Sequence, residues 1–268
     1  MSHEIFANHA HVFPKDVRPD GTVEALLRTM DDCGIARAVC FATFPSQLGP
    51  GNEETNGWLA GKIRGNDRLV GFGVIDFDRG DLRGQVDRIA DLGFRGIKMH
   101  PAFQKFVVDG EKACEVYARA EELGLFLSFH TGVHWHRIRD YQLWRFDEVA
   151  YRFPRLRFSM EHVGGYCFFE EALAVMLNNM HRGDEPRIYA GLTSVFDRDV
   201  NRAWNLSDER VYDLIWQTGD TASIFGLDFP YNDARAIREA IDHLTGLDLP
   251  EESKRRILGG NLTRALNL

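Results

Sequence analysis

Ten histidines stand in this chain, and five of them, His9, His11, His100, His130 and His162, each close a short apolar run. Imidazole is the side chain that best moves protons near neutral pH, and it is the commonest ligand of transition metals. His9 and His11 are two residues apart in a strand-like segment, so alternation sends both rings to one face. Asp228 closes another apolar run, Ile224-Phe225-Gly226-Leu227, and precedes Phe229-Pro230. An unpaired buried carboxylate is costly, so a ligand or a base is expected there; the plainer alternative is a cap for the next helix. Imidazoles with one carboxylate form a borderline-to-hard donor set that suits Zn²⁺, Mn²⁺, Fe²⁺ or Co²⁺. An open position on such a metal turns water into a nucleophile at neutral pH.

Side chains so far apart in sequence need a scaffold that brings strand ends together. Apolar runs rich in Val, Ile and Phe predict strands at 4–11, 37–43, 69–75, 93–100, 125–130, 156–162, 187–195 and 223–228. Helical periodicity predicts helices over 22–33, 81–92, 111–123, 142–153, 168–181, 207–218 and 234–244. The first starts at a Thr22 cap and stops at Gly34, and the next two stop at Gly93 and Gly124. Strands alternating with helices imply parallel pairing with right-handed crossovers. Eight such units in 268 residues are the size of a (β/α)8 TIM barrel, read as one α/β domain over 1–268. In that barrel the strand ends converge on one mouth, where the five histidines and Asp228 would meet. The runner-up, an open doubly wound sheet, lacks a GxGxxG fingerprint.

Composition narrows the function further. Lys and Arg number 32 against 40 Asp and Glu, a net charge of −8, which disfavours nucleic acid and anionic membrane surfaces. No apolar run reaches the length of a membrane span, and Met1 to Ala10 shows no secretory pattern, so the reading is cytoplasmic. Cys33, Cys40, Cys114 and Cys167 show no CxxC spacing and are expected as reduced, buried thiols. A phosphate loop, a GxSxG elbow and an HExxH motif are absent from the sequence.

Seven short motifs occur in order: Asn8-His9-Ala10-His11-Val12-Phe13-Pro14, Met30-Asp31-Asp32-Cys33-Gly34-Ile35, Gly93-Phe94-Arg95-Gly96-Ile97-Lys98-Met99-His100-Pro101, Phe129-His130-Thr131-Gly132, Glu161-His162-Val163-Gly164-Gly165, Phe225-Gly226-Leu227-Asp228-Phe229-Pro230, and Ile257-Leu258-Gly259-Gly260-Asn261. Together they resemble the amidohydrolase-related ("amidohydrolase 2") branch of the amidohydrolase superfamily, which includes aminocarboxymuconate semialdehyde decarboxylase. The resemblance runs from about Ile5 to Leu268. It implies one divalent metal, usually zinc, on His9, His11, His130 and Asp228, with His162 beside it as acid, base or electrostatic partner. Members are often dimers or larger, so a homo-oligomer is admitted.

Two departures stand out. The position two before His9, usually Asp in that family, is Ala7, so a carboxylate orienting a ligand is missing or supplied elsewhere. Leu227 replaces the usual Ser. Lys98 closes the fourth strand, where two-metal members of the superfamily carry a carboxylated bridging lysine; here it reads either as that bridge or as an amine that pairs with Asp228 or binds substrate. His100 lines the pocket or is held by the Pro101 turn.

The loop after His130 carries His134, His136 and Arg137 around Trp135, a set that could grip a carboxylate and a flat body. Tyr166, Phe168, Phe169, Phe196 and Tyr231 would make the pocket partly aromatic. The leading expectation is a metal-dependent hydrolase that opens an amide, ester or lactone of a small carboxylated molecule, with Asp228 and His162 moving protons. The second is a non-oxidative decarboxylase of a small unsaturated or aromatic acid. The third is a metal-free binding barrel.

Overall fold

A computed structural model describes residues 4–48, 54–180, 185–197 and 202–268. Eight parallel strands close into a barrel in sequence order: β1 (Ile5–His11), β2 (Ile35–Phe41), β3 (Leu69–Val74), β4 (Gly96–Met99), β5 (Phe126–His130), β6 (Phe158–Glu161), β7 (Ile188–Thr193) and β8 (Ser223–Phe229). Outside them lie α1 (Val23–Asp32), α2 (Thr55–Ile63), α3 (Leu82–Asp91), the one-turn α4 (Pro101–Gln104), α5 (Glu111–Leu123), α6 (Arg145–Arg152), α7 (Phe169–Asn178), α8 (Asp208–Thr218) and α9 (Ala234–Gly246). Two short helices, α10 (Glu251–Arg255) and α11 (Asn261–Ala265), end the chain around a π-turn at Arg256–Gly260. This is the (β/α)8 barrel that the alternation implies.

All eight expected strands are present: β1, β3 and β5 lose one residue, β4, β6 and β7 lose three or four, β2 begins and ends two residues earlier, and β8 gains one. The Thr22 cap is made: its hydroxyl accepts from the Ala25 amide at 3.2 Å. The helix α2 carries no sequence signal, because Gly57 and Gly61 interrupt its periodicity. The expected end of α7 at His181 lies outside the described residues.

Two apolar clusters hold the fold. The larger packs the outer strand faces against the helices. The smaller holds Phe6, Phe41, Phe72, Phe126, Tyr189 and Ile224, together with Leu262 and Ala265 of α11 and Leu266 just past it. Its rings form a ladder, Phe41 to Phe72 at 5.8 Å, Phe72 to Phe126 at 6.0 Å and Phe126 to Tyr189 at 5.8 Å between centroids. Such edge and tilted contacts fill the barrel interior at crystal-like density, so the floor of the site is rigid. His9 and His11 pack directly on this ladder, their rings 5.0 and 5.3 Å from that of Phe41.

One expectation fails among the cysteines. Cys33, Cys40 and Cys114 are buried as free thiols, but Cys167 is exposed, because it falls in the irregular turn between β6 and α7.

Candidate metal centre

Simple alternation does not place the two histidines of β1. Between Ala7 and Ala10 the strand runs one residue longer than its partner β2, and His9 takes a left-handed φ of 65°. A matching irregularity against β1 puts an extra residue into β8, where Asp228 has φ 55°. Bulges of this kind re-aim a side chain at a barrel rim. His162, in the turn just past β6, also takes a left-handed φ of 65°. Left-handed backbone at a non-glycine residue costs of order 1 kcal/mol or more and persists only where the surroundings impose it. Three such residues therefore meet at one spot.

They meet closely. His9 Nε2 is 3.4 Å and His11 Nε2 3.7 Å from Asp228 Oδ1. The His9 ring centroid is 5.0 Å from both His11 and His162. His9, His162 and Asp228 each bring one donor atom within 4.8 Å of the others. His130 joins through His162, with Nδ1 of one and Nε2 of the other 3.1 Å apart.

Hydrogen bonds at the far side of each ring decide which nitrogen carries the proton. His162 Nδ1 donates to the Thr193 carbonyl at 2.8 Å, and His130 Nε2 donates to the Gly132 carbonyl at 2.7 Å. The two inward nitrogens are then bare lone pairs facing each other. Nor is the clash relieved by protonation, because burial first, then the Lys98 charge and neighbouring rings, hold both imidazoles well below their ordinary pKa. His9 and His11 are depressed for the same leading reason. Converging neutral imidazoles beside a carboxylate are the donor set of a divalent cation, so the residues present fit one.

Under this set lies Glu161, which the sequence reading passed over. Its carboxylate is fully buried and accepts from Asn8 Nδ2 at 2.7 Å, Thr193 Oγ1 at 2.6 Å, Ser128 Oγ at 3.4 Å and Ser159 Oγ. It also accepts a hydrogen bond from His9 Nδ1 at 3.0 Å, leaving His9 Nε2 as the lone pair toward Asp228. A carboxylate behind a ligating imidazole fixes its tautomer and raises its basicity. The only hint in the sequence was an acid closing an apolar strand, beside a histidine that drew the attention.

Lys98 is buried, with Nζ 3.2 Å from His9 Nε2. Burial lowers its pKa, while Glu161 and Asp228 pull the other way. Burial raises that of Asp228, against a 2.8 Å hydrogen bond from Ser194 to Oδ2. His100 Nδ1 caps α4 by accepting from the Phe103 amide at 3.2 Å, and its ring stacks on His130 at 4.0 Å. His100, His130 and His134 form a second triad of near donor atoms. It fits a cation poorly, because the cap occupies His100 Nδ1 and its ring lies parallel to His130, within 15°.

The loop after β5 divides. His134 and His136 face the rim, 4.8 Å from His130 and 5.5 Å from His100 between centroids. Arg137 points away and lines an outer cavity with Lys105 and Phe106. Tyr166 lies exposed past β6. Phe169 is buried in the core and Phe196 stacks on His243, so neither joins the pocket. The cation at the mouth is instead Arg18, 4.5 Å above the Tyr231 ring, which in turn meets His11 at 5.5 Å. A groove of about 1000 Å³ lined by Phe44, Phe77, Phe103, Phe106 and His136 runs beside the mouth, but holds none of the converging donors.

Comparison with known proteins gives the fold and the family. No curated protein gives a significant sequence match. Solved structures of similar fold include 5-carboxyvanillate decarboxylase from Sphingomonas paucimobilis (16% identity, TM-score 0.74, all of both chains covered). A dihydroxybenzoic acid decarboxylase from a Polaromonas species, with bound manganese and the inhibitor 2-nitroresorcinol, is 14% identical over 100% of this chain and 98% of that one, with TM-score 0.73. A probable 2-pyrone-4,6-dicarboxylic acid hydrolase from Acinetobacter baumannii is 14% identical over 99% and 100%, with TM-score 0.70. At such identities the likeness is one of fold. The amidohydrolase family profile Amidohydro_2, however, matches residues 9–268, and the chain belongs to that family of enzymes.

Proposed function

We propose that this chain, working as one domain over 1–268, is a metal-dependent hydrolase of a small carboxylated molecule, opening an amide, ester or lactone bond. The observation that carries this is the pair of facing lone pairs on His130 and His162, 3.1 Å apart beside His9 and Asp228. His9, His11, His130 and Asp228 hold one divalent metal, with zinc the first expectation. When bound, the metal supplies Lewis-acid polarisation of the scissile carbonyl and lowers the pKa of water.

The chain's own groups do the rest. Asp228, whose buried carboxyl titrates higher than usual, accepts a proton at Oδ1, while Ser194 holds Oδ2 in place. That proton passes from Asp228 to the leaving atom, while His162, kept neutral by burial, presents Nε2 as an accepting lone pair and the Thr193 carbonyl fixes its ring. Lys98 remains an amine. At the rim, Arg18 faces a substrate carboxylate, and His134, His136 and Tyr231 border its body.

A second reading, non-oxidative decarboxylation, uses the same donors, and two of the fold relatives carry decarboxylase names. Metal analysis by plasma mass spectrometry, on protein purified without chelators or a His-tag, is the first test. About one equivalent in native protein, lost in His130→Ala and Asp228→Ala, is expected for four ligands on one ion. Metal-free native protein after a Zn²⁺ or Mn²⁺ soak overturns the reading. Product analysis on lactones, esters and unsaturated acids then separates the two chemistries, since release of carbon dioxide excludes hydrolysis.

A further inference from the structure

Access to the centre is lopsided. His162 is 1% exposed, whereas the His11 side chain retains 18%. Among the described residues, Trp204, in the segment between β7 and α8, lies over the closed side. Its ring centroid lies 4.4 Å from His162, 5.5 Å from His134 and 6.0 Å from His130. The indole Nε1 donates to the Val133 carbonyl at 3.2 Å, tying the cover to the loop after β5. Trp204 belongs to neither apolar cluster, so its ring is spent on imidazoles rather than on the core.

The seat is built for it. A Cβ on Gly165 would fall 2.7 Å from Trp204 Cγ, and one on Gly132 would fall 2.9 Å from Trp204 Cζ2. Any other residue at either position would push the indole off His162.

We propose that Trp204 is a positioning residue that fixes the His162 ring and closes that flank to solvent, so that substrate reaches the centre along the His11–Tyr231 edge. The proposal rests on the reading of His162 and Asp228 as the reacting groups, and it also limits the substrate. That edge is bordered by Arg18, which stacks 4.5 Å from the Tyr231 ring and is paired with Asp20 at 3.1 Å, so a small acid arriving there would share or displace that partner.

The test is diethyl pyrocarbonate acylation of the chelated protein near neutral pH, resolved by peptide mass spectrometry. Native His162 is expected to react more than about tenfold more slowly than His11, because it must wait for a local opening. Trp204→Ala should bring His162 close to the His11 rate, and Trp204→Phe, which keeps a ring, should retain most of the protection. If Trp204→Ala does not fold by circular dichroism, Gly165→Ala keeps the indole but displaces it and carries the same expectation. Native His162 reacting as fast as His11, or unchanged protection in folded Trp204→Ala or Gly165→Ala, overturns the proposal. Metal content of native protein is measured alongside. A metal-free protein that still shows the protection pattern overturns the metal reading and keeps the Trp204 cover.

Discussion

The carboxylate of Glu161 on β6 lies 3.0 Å from His9 Nδ1 on β1, across the barrel interior. It does for His9 what the missing acid at Ala7 would have been expected to do, from a different strand. Four further donors surround it, so the group is locked as an acceptor. Glu161→Gln replaces one acceptor oxygen with an amide and lets His9 change tautomer. Metal affinity, read by competition with a chromophoric chelator, should fall about 10- to 100-fold with the fold intact. Unchanged affinity would show that His9 needs no partner.

Room for Glu161 comes from Gly191 on β7. A Cβ there would fall 2.5 Å from Glu161 Oε2. Gly191→Ala must therefore move a buried charge inside a packed barrel. We expect a loss of about 1–3 kcal/mol in chemical denaturation, together with weakened metal binding. Loss of stability with native metal affinity would separate the two roles and place the strain elsewhere.

The barrel was legible because the strands are short, largely apolar runs, several of them rich in Val and Ile, that alternate with periodic helical segments, and neighbouring segments agree. The histidines at strand ends were legible for the same reason, since a polar ring closing such a run has to go somewhere. What could not be read was local backbone. His9 reaches the centre through a bulge rather than by alternation, and Asp228 through another, and no residue pattern around them announces an extra residue. Arg18 and Trp204 were missed because loops lack periodicity, and only the closed fold brings the ends of β1, β7 and β8 together. Arg137, by contrast, looked well placed in sequence, but its loop turns it outward.

Lys98 distinguishes one ion from two. Its Nζ competes for the His9 Nε2 lone pair at 3.2 Å. In Lys98→Met a flexible apolar chain replaces the amine, removing a buried charge next to the ligands. Native protein and the variant should both bind about one equivalent, with equal or tighter affinity in the variant, and added bicarbonate should change nothing. Two equivalents in native protein that fall in Lys98→Met would instead make Lys98 a carboxylated bridge.

Acid should unfold the chelated protein early. His9, His11, His100, His130 and His162 are all held well below the ordinary value of 6.5, chiefly by burial. As pH falls through about 6.5 the unfolded chain therefore binds protons that the folded chain refuses, and stability drops. Asp228 acts oppositely: its carboxyl rises from 3.8 to about 6, so between those values the folded state holds one proton more. Five groups against one set the sign, and each uncompensated proton contributes about 1.4 kcal/mol per pH unit. Urea denaturation of chelator-treated protein between about pH 5 and 7.5 should show stability rising with pH, with a slope flattened by about one proton in His130→Ala. Bound metal should flatten the curve near neutrality and sharpen its fall where protons displace the ion. A chelated protein whose stability is level or rises toward acid would mean that these rings are already protonated in the folded state, and the facing lone pairs of His130 and His162 would lose their claim on a cation.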